Sequence, residues 1–237
     1  MRILGIDVET TGLNPKEEYI TEIGAVLYDV EKKAPMLMGS WLISIPQTVN
    51  ITPFITQLTG IDRSMLNLFG VDEDVARVEL GAMVDMANCF MAHNAPFDKS
   101  FIEPFLGEQD VLPWICSKSN LPHEEVLGRK VSSKSLEALT GYYQVFNPFA
   151  HRALFDVLAM LKIAERHDLY EALELAGQES LTFYAQVSYE DRDKAKDLGF
   201  SWCPKRRRWY KDVPHSKGDE LIRSGEANGV NIILGSV

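Results

Sequence analysis

The stretch GIDVETTGLNP, residues 5–15, runs from an apolar strand pattern straight into two acids, two threonines and a glycine turn. Side chains alternate faces along a strand, so Asp7 and Glu9 point the same way while Ile6 and Val8 go to the other side. Two carboxylates side by side repel, and such a pair is costly unless a cation lies between them. Hard oxygen ligands of this sort suit magnesium or manganese. Taken alone, a D-x-E is better explained by a solvated strand end with acids facing water. The turn at Thr10, Thr11 and Gly12 lowers the weight of that explanation, because its backbone can approach a ligand closely.

Outward from this stretch, RILGIDVE (2–9), ITEIGAVLYDV (20–30) and MLMGSWLISI (36–45) read as three strands, each apolar and rich in β-branched or aromatic residues. VDEDVARVELGAMVDMAN (71–88) carries Val71, Val75, Val78, Ala82 and Met86 near helical spacing, and CFMAHN (89–94) returns to a short buried strand. PFDKSFIEPFL (96–106) predicts a short helix and SSKSLEALTGYY (132–143) another with a serine N-cap. ALFDVLAMLKIAERHDLYEALELA (153–176) predicts a long amphipathic helix or a helix pair. Strands first and strand-helix alternation afterwards imply an α/β fold, a mixed sheet covered by helices.

The pattern resets near residues 176–178. A small α+β tail follows: strand (180–190), helix (191–199), strand WCPKRRRWYKDV (202–213), helix (216–226) and strand (230–235). The expected organisation is a larger domain over 1–177 and a small one over 183–237, the latter marginal alone but adequate when docked.

The chain has 237 residues, 46% of them hydrophobic, with no apolar run long enough to span a membrane. Its opening MRILGID is too short and too acidic for a signal peptide, so a cytoplasmic setting without membrane contact is expected. Cys89, Cys116 and Cys203 are far apart and lack C-x-x-C spacing, which supports neither a disulfide framework nor a zinc site. The net charge of -10 argues against a polyanionic partner, but the average hides a split. Residues 183–237 hold 10 Lys and Arg against 8 Asp and Glu, while the larger part carries net -12.

Two further acids stand in informative places. Asp98 ends HNAPFD (93–98), where Pro96 blocks strand continuation; a strand-to-helix turn with an acid near a helix N-terminus explains it equally well. Asp156 interrupts the apolar stripe of Ala153, Leu154, Val157, Leu158 and Leu161, with His151 five residues earlier. Five residues turn a helix by about 500°, so the two share a site only if His151 lies at or before the first turn.

Together, D-x-E-T-T-G-L, N-x-x-F-D and H-x-x-x-x-D, in that order, supply four acids and one histidine, the inventory of a two-metal phosphodiesterase. On these motifs, and on LTGI (58–61), SLEALTGYY (135–143) and HRALFDV (151–157), the chain resembles the DEDDh branch of the DnaQ-like 3′-to-5′ exonucleases over roughly residues 1–170. The resemblance implies a ribonuclease H-like fold, a mixed five-stranded sheet flanked by helices. It implies two divalent metal ions, magnesium or manganese: Asp7, Glu9 and Asp156 hold one, Asp7 holds the second, and Asp98 reaches that one through water. It makes His151 the general base, with His93 a rival, and puts the terminal nucleotide against Thr10, Thr11, Gly12 and Leu13 with help from Asn94. Phe97 is expected in the core, as are Trp41 and Trp114; His123, His167 and His215 are expected to be surface or structural.

The tail segment 189–211 resembles a small accessory domain of unknown function carried by phage and plasmid DNA-processing proteins. Lys205, Arg206, Arg207, Arg208 and Trp209 are candidate nucleic-acid contacts, gripping a single strand by phosphate contact and base stacking. A β-hairpin whose tryptophans form a mini-core explains the same residues. The leading expectation is a 3′-to-5′ exonuclease acting on single-stranded 3′ ends, DNA favoured, releasing nucleoside 5′-monophosphates. Any proofreading role needs a polymerase or other replication protein in trans. The alternatives are an exoribonuclease of RNA-processing type and an inactive nucleic-acid-binding scaffold; loss of a catalytic acid would signal the scaffold, and none is lost.

Overall fold

In the computed structural model, which describes residues 1–107 and 112–235, the decisive stretch lies in strand β1 (Arg2–Thr10). β2 (Ile20–Asp29) and β3 (Ala34–Leu42) follow. The three form an antiparallel meander whose register sets Gly5 opposite Val26, Asp7 opposite Gly24 and Glu9 opposite Glu22. Three helices come next, α1 (Pro53–Thr59), α2 (Arg63–Phe69) and α3 (Glu73–Val84). Each is started by a side-chain cap: Thr52, Asp62 and Asp72 accept the N–H of Ile55, Met65 and Asp74.

β4 (Cys89–Ala92) then lies parallel to β1 on its other side. α4 (Pro96–Leu106) and β5 (Trp114–Cys116) complete a mixed sheet of order β3-β2-β1-β4-β5. A small hairpin of β6 (Glu125–Val126) and β7 (Arg129–Lys130) precedes α5 (Leu136–Tyr143), α6 (Ala153–Ala164) and α7 (Leu169–Ala176). This is the α/β, ribonuclease H-like sheet flanked by helices that the sequence predicts. No helix among the described residues is long and apolar enough to cross a membrane.

The alternation along β1 divides the molecule. Leu4, Ile6 and Val8, with Ile23, Ala25 and Leu27 of β2, pack into one core against Leu80 of α3 and Phe101, Ile102 and Phe105 of α4. Trp41 is in that core, its Nε1–H donating to Glu79 at 2.6 Å, and Trp114 stacks on Phe90. The opposite face carries Gly5, Asp7 and Glu9, and α6 packs there against β1 and β2. Its fit depends on two missing side chains. A Cβ on Gly24 would stand 2.2 Å from the Leu154 backbone nitrogen, and one on Gly5 would stand 2.9 Å from Val157 Cγ1.

Residues 46–70, for which periodicity predicts no element, hold α1 and α2, seven-residue helices too short to show a stripe. The run 153–176 resolves into a helix pair, α6 and α7. The chain divides into two compact units, Met1–Leu173 and Glu174–Val237. In the second, β8 (Ser180–Gln186), α8 (Arg192–Asp197), β9 (Ser201–Cys203), β10 (Arg208–Pro214), α9 (Gly218–Ala227) and β11 (Asn231–Leu234) build an antiparallel sheet of order β11-β8-β10-β9. WCPKRRRWYKDV, for which the sequence offers one strand or a β-hairpin with a tryptophan mini-core, is the hairpin: β9 and β10 pair antiparallel, and Arg207 at φ 51 helps reverse the chain between them. Cys89, Cys116 and Cys203 are free thiols.

The glycines give opposite forecasts. Gly24→Ala drives a methyl into the α6 backbone and is expected to destabilise the fold by about 2–3 kcal/mol in urea denaturation. Gly141→Ala, in open space within α5, is expected to be neutral or stabilising by up to about 1 kcal/mol.

Candidate active site

β4 pairs with β1 only along Ile3–Gly5, and farther on the Val8 N–H donates instead to Asp98 Oδ1 at 3.2 Å. Asp98, 2% exposed, sits in the first turn of α4. The turn before it is made by Asn94 at φ 75, a left-handed conformation asparagine tolerates, and by Pro96 at the helix start. Thus the second acid reaches the first pair through a backbone group of β1 itself.

The third arrives with α6. Glu22, 1% exposed, accepts from Arg152 (Nε at 3.1 Å, NH2 at 2.9 Å), from the Ala153 N–H at 3.1 Å and from Ser40 Oγ at 3.2 Å. This carboxylate lies directly across the ladder from Glu9, a like-charge pairing that the guanidinium and the helix N-terminus offset. At the far end of α6, Tyr28 Oη donates to Glu165 at 2.7 Å. So tied, α6 presents Asp156 from its first turn. Both Asp156 oxygens are oriented: Asn147 Nδ2 donates to one at 2.6 Å and the His151 N–H to the other at 3.0 Å. His151 precedes the helix with φ 64, meeting the condition that the spacing sets. Ligand atoms of Glu9, His151 and Asp156 lie within 4.8 Å of one another.

The electrostatics of the cluster are those of uncompensated negative charge. Burial raises the Asp7 carboxyl well above the usual range, and Asp98, Glu9, Asp156 and Glu22 each add to the rise. Burial, Asp156, Glu22 and Asp98 push Glu9 up to about 8 against the pull of Arg152. Asp98 is pushed up to about 7 by burial, opposed by backbone N–H donors, and Asp156 is raised by burial, opposed by Asn147 and His151. Arg152 is committed to Glu22. An all-carboxylate pocket with a charge excess, oriented oxygens and one imidazole at its edge fits divalent cations.

The remaining predicted residues fall around this cluster or away from it. Thr10 Oγ1 donates to the Gly12 carbonyl at 2.6 Å, and the Thr11 N–H donates to the Tyr19 carbonyl at 2.9 Å. These bonds hold the turn that follows β1, with Leu13 84% exposed at its tip. Asn94 is exposed. Phe97 packs with Phe101 against the core, ring centroids 5.1 Å apart. His93 has no free ring nitrogen: Nε2–H donates to the Lys134 carbonyl at 2.9 Å and Nδ1 accepts from Ser117 Oγ at 2.8 Å. Burial pushes its pKa down to about 4. His123 and His167, expected to be surface or structural, are joined through one tyrosine: Tyr143 Oη lies 2.9 Å from His123 Nδ1 and 2.7 Å from His167 Nε2. They are structural. Sequence reasoning missed Glu22, Arg152 and Asn147. Glu22 had a signal, an acid interrupting the apolar run ITEIGAVLYDV, the same kind of anomaly as Asp7 and Glu9.

With this geometry, the family model for exonucleases of the RNase T type matches residues 4–164. The chain belongs to the exonuclease family. Among relatives of this exonuclease-family chain, a PolC-type DNA polymerase III of Caldanaerobacter subterraneus subsp. tengcongensis is 29% identical over 194 residues, 81% of this chain and 13% of the polymerase. A ribonuclease T of Histophilus somni is 31% identical over 108 residues, 41% of this chain and 50% of that enzyme. The chain spans between 6% and 50% of the lengths of the curated relatives it matches. Its fold also matches E. coli exonuclease I in a zinc-bound complex with single-stranded DNA, with TM-score 0.69 and 14% identity, covering 97% of this chain and 68% of that one. Residues 181–221 match a domain of unknown function.

A pH dependence follows from the raised carboxyl groups. Each binds protons in the folded protein that the unfolded chain has already released, so in chelator the contribution of these groups to stability is greatest below about pH 4 and falls as pH rises toward 8. The unfolding free energy from urea titration in EDTA is expected to drop between pH 5 and pH 8.5, on the order of 2 kcal/mol. Manganese should restore more at pH 8.5 than at pH 5; a flat profile in EDTA would contradict the electrostatic description.

Proposed function

We propose that this chain is a metal-dependent 3′-to-5′ exonuclease. It hydrolyses terminal phosphodiester bonds of single-stranded nucleic acid, DNA in preference to RNA, and releases nucleoside 5′-monophosphates in the cytoplasm. The observation that carries the reading is the convergence of three chain segments on one acidic cluster: the end of β1, the first turn of α4 and the first turn of α6, with His151 at its rim.

Asp7, Glu9, Asp98 and Asp156 would hold two divalent ions, magnesium or manganese. Bound there, such ions polarise the phosphodiester and lower the pKa of water. The chain's own residues do the rest. His151, exposed beside Glu9 and Asp156, takes the proton of the attacking water at a ring nitrogen, and imidazole is suited to that near neutral pH. Asn147 and the His151 N–H keep the Asp156 oxygens aimed. The turn at Thr10, Thr11, Gly12 and Leu13, with Asn94, receives the terminal nucleotide, Leu13 offering an exposed apolar side chain to a base.

In this reading residues 1–177 form the catalytic domain and residues 183–237 an accessory one. A polymerase supplied in trans is the proposed partner for proofreading, since the PolC-type relatives are DNA polymerases. The ribonuclease T relative favours a second reading, an exoribonuclease.

Product analysis on 5′-labelled single-stranded DNA and RNA of one sequence separates these. A metal-dependent ladder shortening from the 3′ end is expected, faster on DNA, and an RNA rate exceeding the DNA rate would select the second reading. Asp7→Asn should lower cleavage by roughly 10³-fold or more with the fold intact. Near-normal turnover of that variant would overturn the assignment.

A further inference from the structure

The second unit has one face that its own helices leave open. Ala195 and Leu198 of α8 and Leu221 and Ile222 of α9 pack with Phe183, Ala185, Val213 and Ile232 on one side of the β11-β8-β10-β9 sheet. The ladder fixes what lies on the other side. Tyr184 of β8 stands directly opposite Tyr210 of β10, on the two central strands. Arg208 is two residues from Tyr210 and so shares its face. Its guanidinium carbon lies 5.3 Å from the Tyr184 ring centroid, and Arg206 NH1 donates to Tyr184 Oη at 3.0 Å. On the neighbouring row Asn231 Nδ2 donates to Gln186 Oε1 at 2.7 Å, both exposed. Among the described residues, the acid on this face is Asp212, on the row beyond Tyr210, where Thr182 Oγ1 donates to it at 2.6 Å.

Trp209, a contact candidate from the sequence, is on the wrong side. It pairs with Trp202 across the hairpin and packs against the helix-covered core. The aromatic rings beside the arginines are the two tyrosines.

We propose that this open face is a platform for single-stranded nucleic acid. Tyr184 and Tyr210, adjacent across the ladder, take the faces of neighbouring bases, and Arg206 and Arg208 take the phosphates between them. Charge selects this occupant: the residues from 183 onward are net positive in a chain of net charge -10, and the basic run ends at the face. Adjacent aromatic rings select single strands, because duplex bases are stacked on one another and present no free face. The choice of occupant rests on the exonuclease reading; the composition of the face does not. With such a platform, an acidic catalytic unit holds its polyanionic substrate through a basic one.

The test is fluorescence anisotropy of an internally labelled single-stranded DNA circle of about 40 nucleotides, ample for one site. A circle has no 3′ end for the catalytic cluster. The full chain carries Asp7→Asn and the buffer contains EDTA. Binding is expected, and Tyr184→Leu with Tyr210→Leu should weaken it about tenfold or more. Arg206→Ser with Arg208→Ser should weaken it and lower the slope of log K against log salt by roughly 1–2. This second pair alters only exposed side chains, so it decides the matter if the leucine pair unfolds the unit. Parental affinity in the arginine pair, or equal competition by duplex DNA, would overturn the platform. So would a leucine pair that sediments as a smaller species yet binds the circle like the parent, which would make the face a contact between copies. Binding of circles by this chain with no cutting of linear strands by the wild type in manganese would sink the exonuclease reading alone; wild-type cutting without binding of circles would sink the platform alone.

Discussion

Helix α6 can lie on the sheet because Gly24 and Gly5 put no side chain beneath it. Completion of the acidic cluster in the first unit depends on that contact. It brings Asp156 beside Glu9, seats the Ala153 N–H on Glu22, and sets His151 at the rim rather than on the helix. The packing is close and so intolerant of a single methyl, as interiors at crystal-like density are. What it achieves is unfavourable on its own terms: carboxylates are forced together with their pKa values raised by burial and by one another. A fold that spends packing and buried hydrogen bonds on like-charge crowding is preorganised for a multivalent cation.

The two glutamates opposite each other on β1 and β2 show how the crowding is divided. Glu9 is left without a paired cation, pushed up to about 8 against only a pull from Arg152, whereas Glu22 is fully engaged by Arg152, Ser40 and the start of α6. One carboxylate is tied into the structure and the other is left facing the acidic cluster, although the ladder makes them equivalent. Partner groups, and not the strand position, decide the role.

Much of this was legible in the sequence. Alternation along residues 2–9 predicted the shared face of Asp7 and Glu9, and the helical arithmetic between His151 and Asp156 set a condition that the backbone meets. Other features depend on long-range register, which local patterns do not carry. Glu22 opposite Glu9 is one, and Tyr184 opposite Tyr210 is another. The helices α1 and α2 escaped because seven residues are too few for a periodic signal, and their capping residues read equally as loop. The single-strand reading of WCPKRRRWYKDV failed because its turn lacks glycine, Arg207 supplying the left-handed residue instead, while the alternative of a hairpin with paired tryptophans held. The family resemblance supplied the proposed roles of the five site residues; it did not supply Arg152, Asn147 or the glycine seat.

The central claim is that the acids at the end of β1 exist to hold divalent cations. The most direct test is calorimetric titration of manganese into chelator-stripped protein at pH 7, repeated in two buffers of different ionisation enthalpy. The account predicts saturable binding with net proton release, because Glu9 and Asp98 carry protons that the cation displaces, and loss of that binding in Asp7→Asn. Identical titrations for the wild type and Asp7→Asn, or binding without proton release, would contradict it.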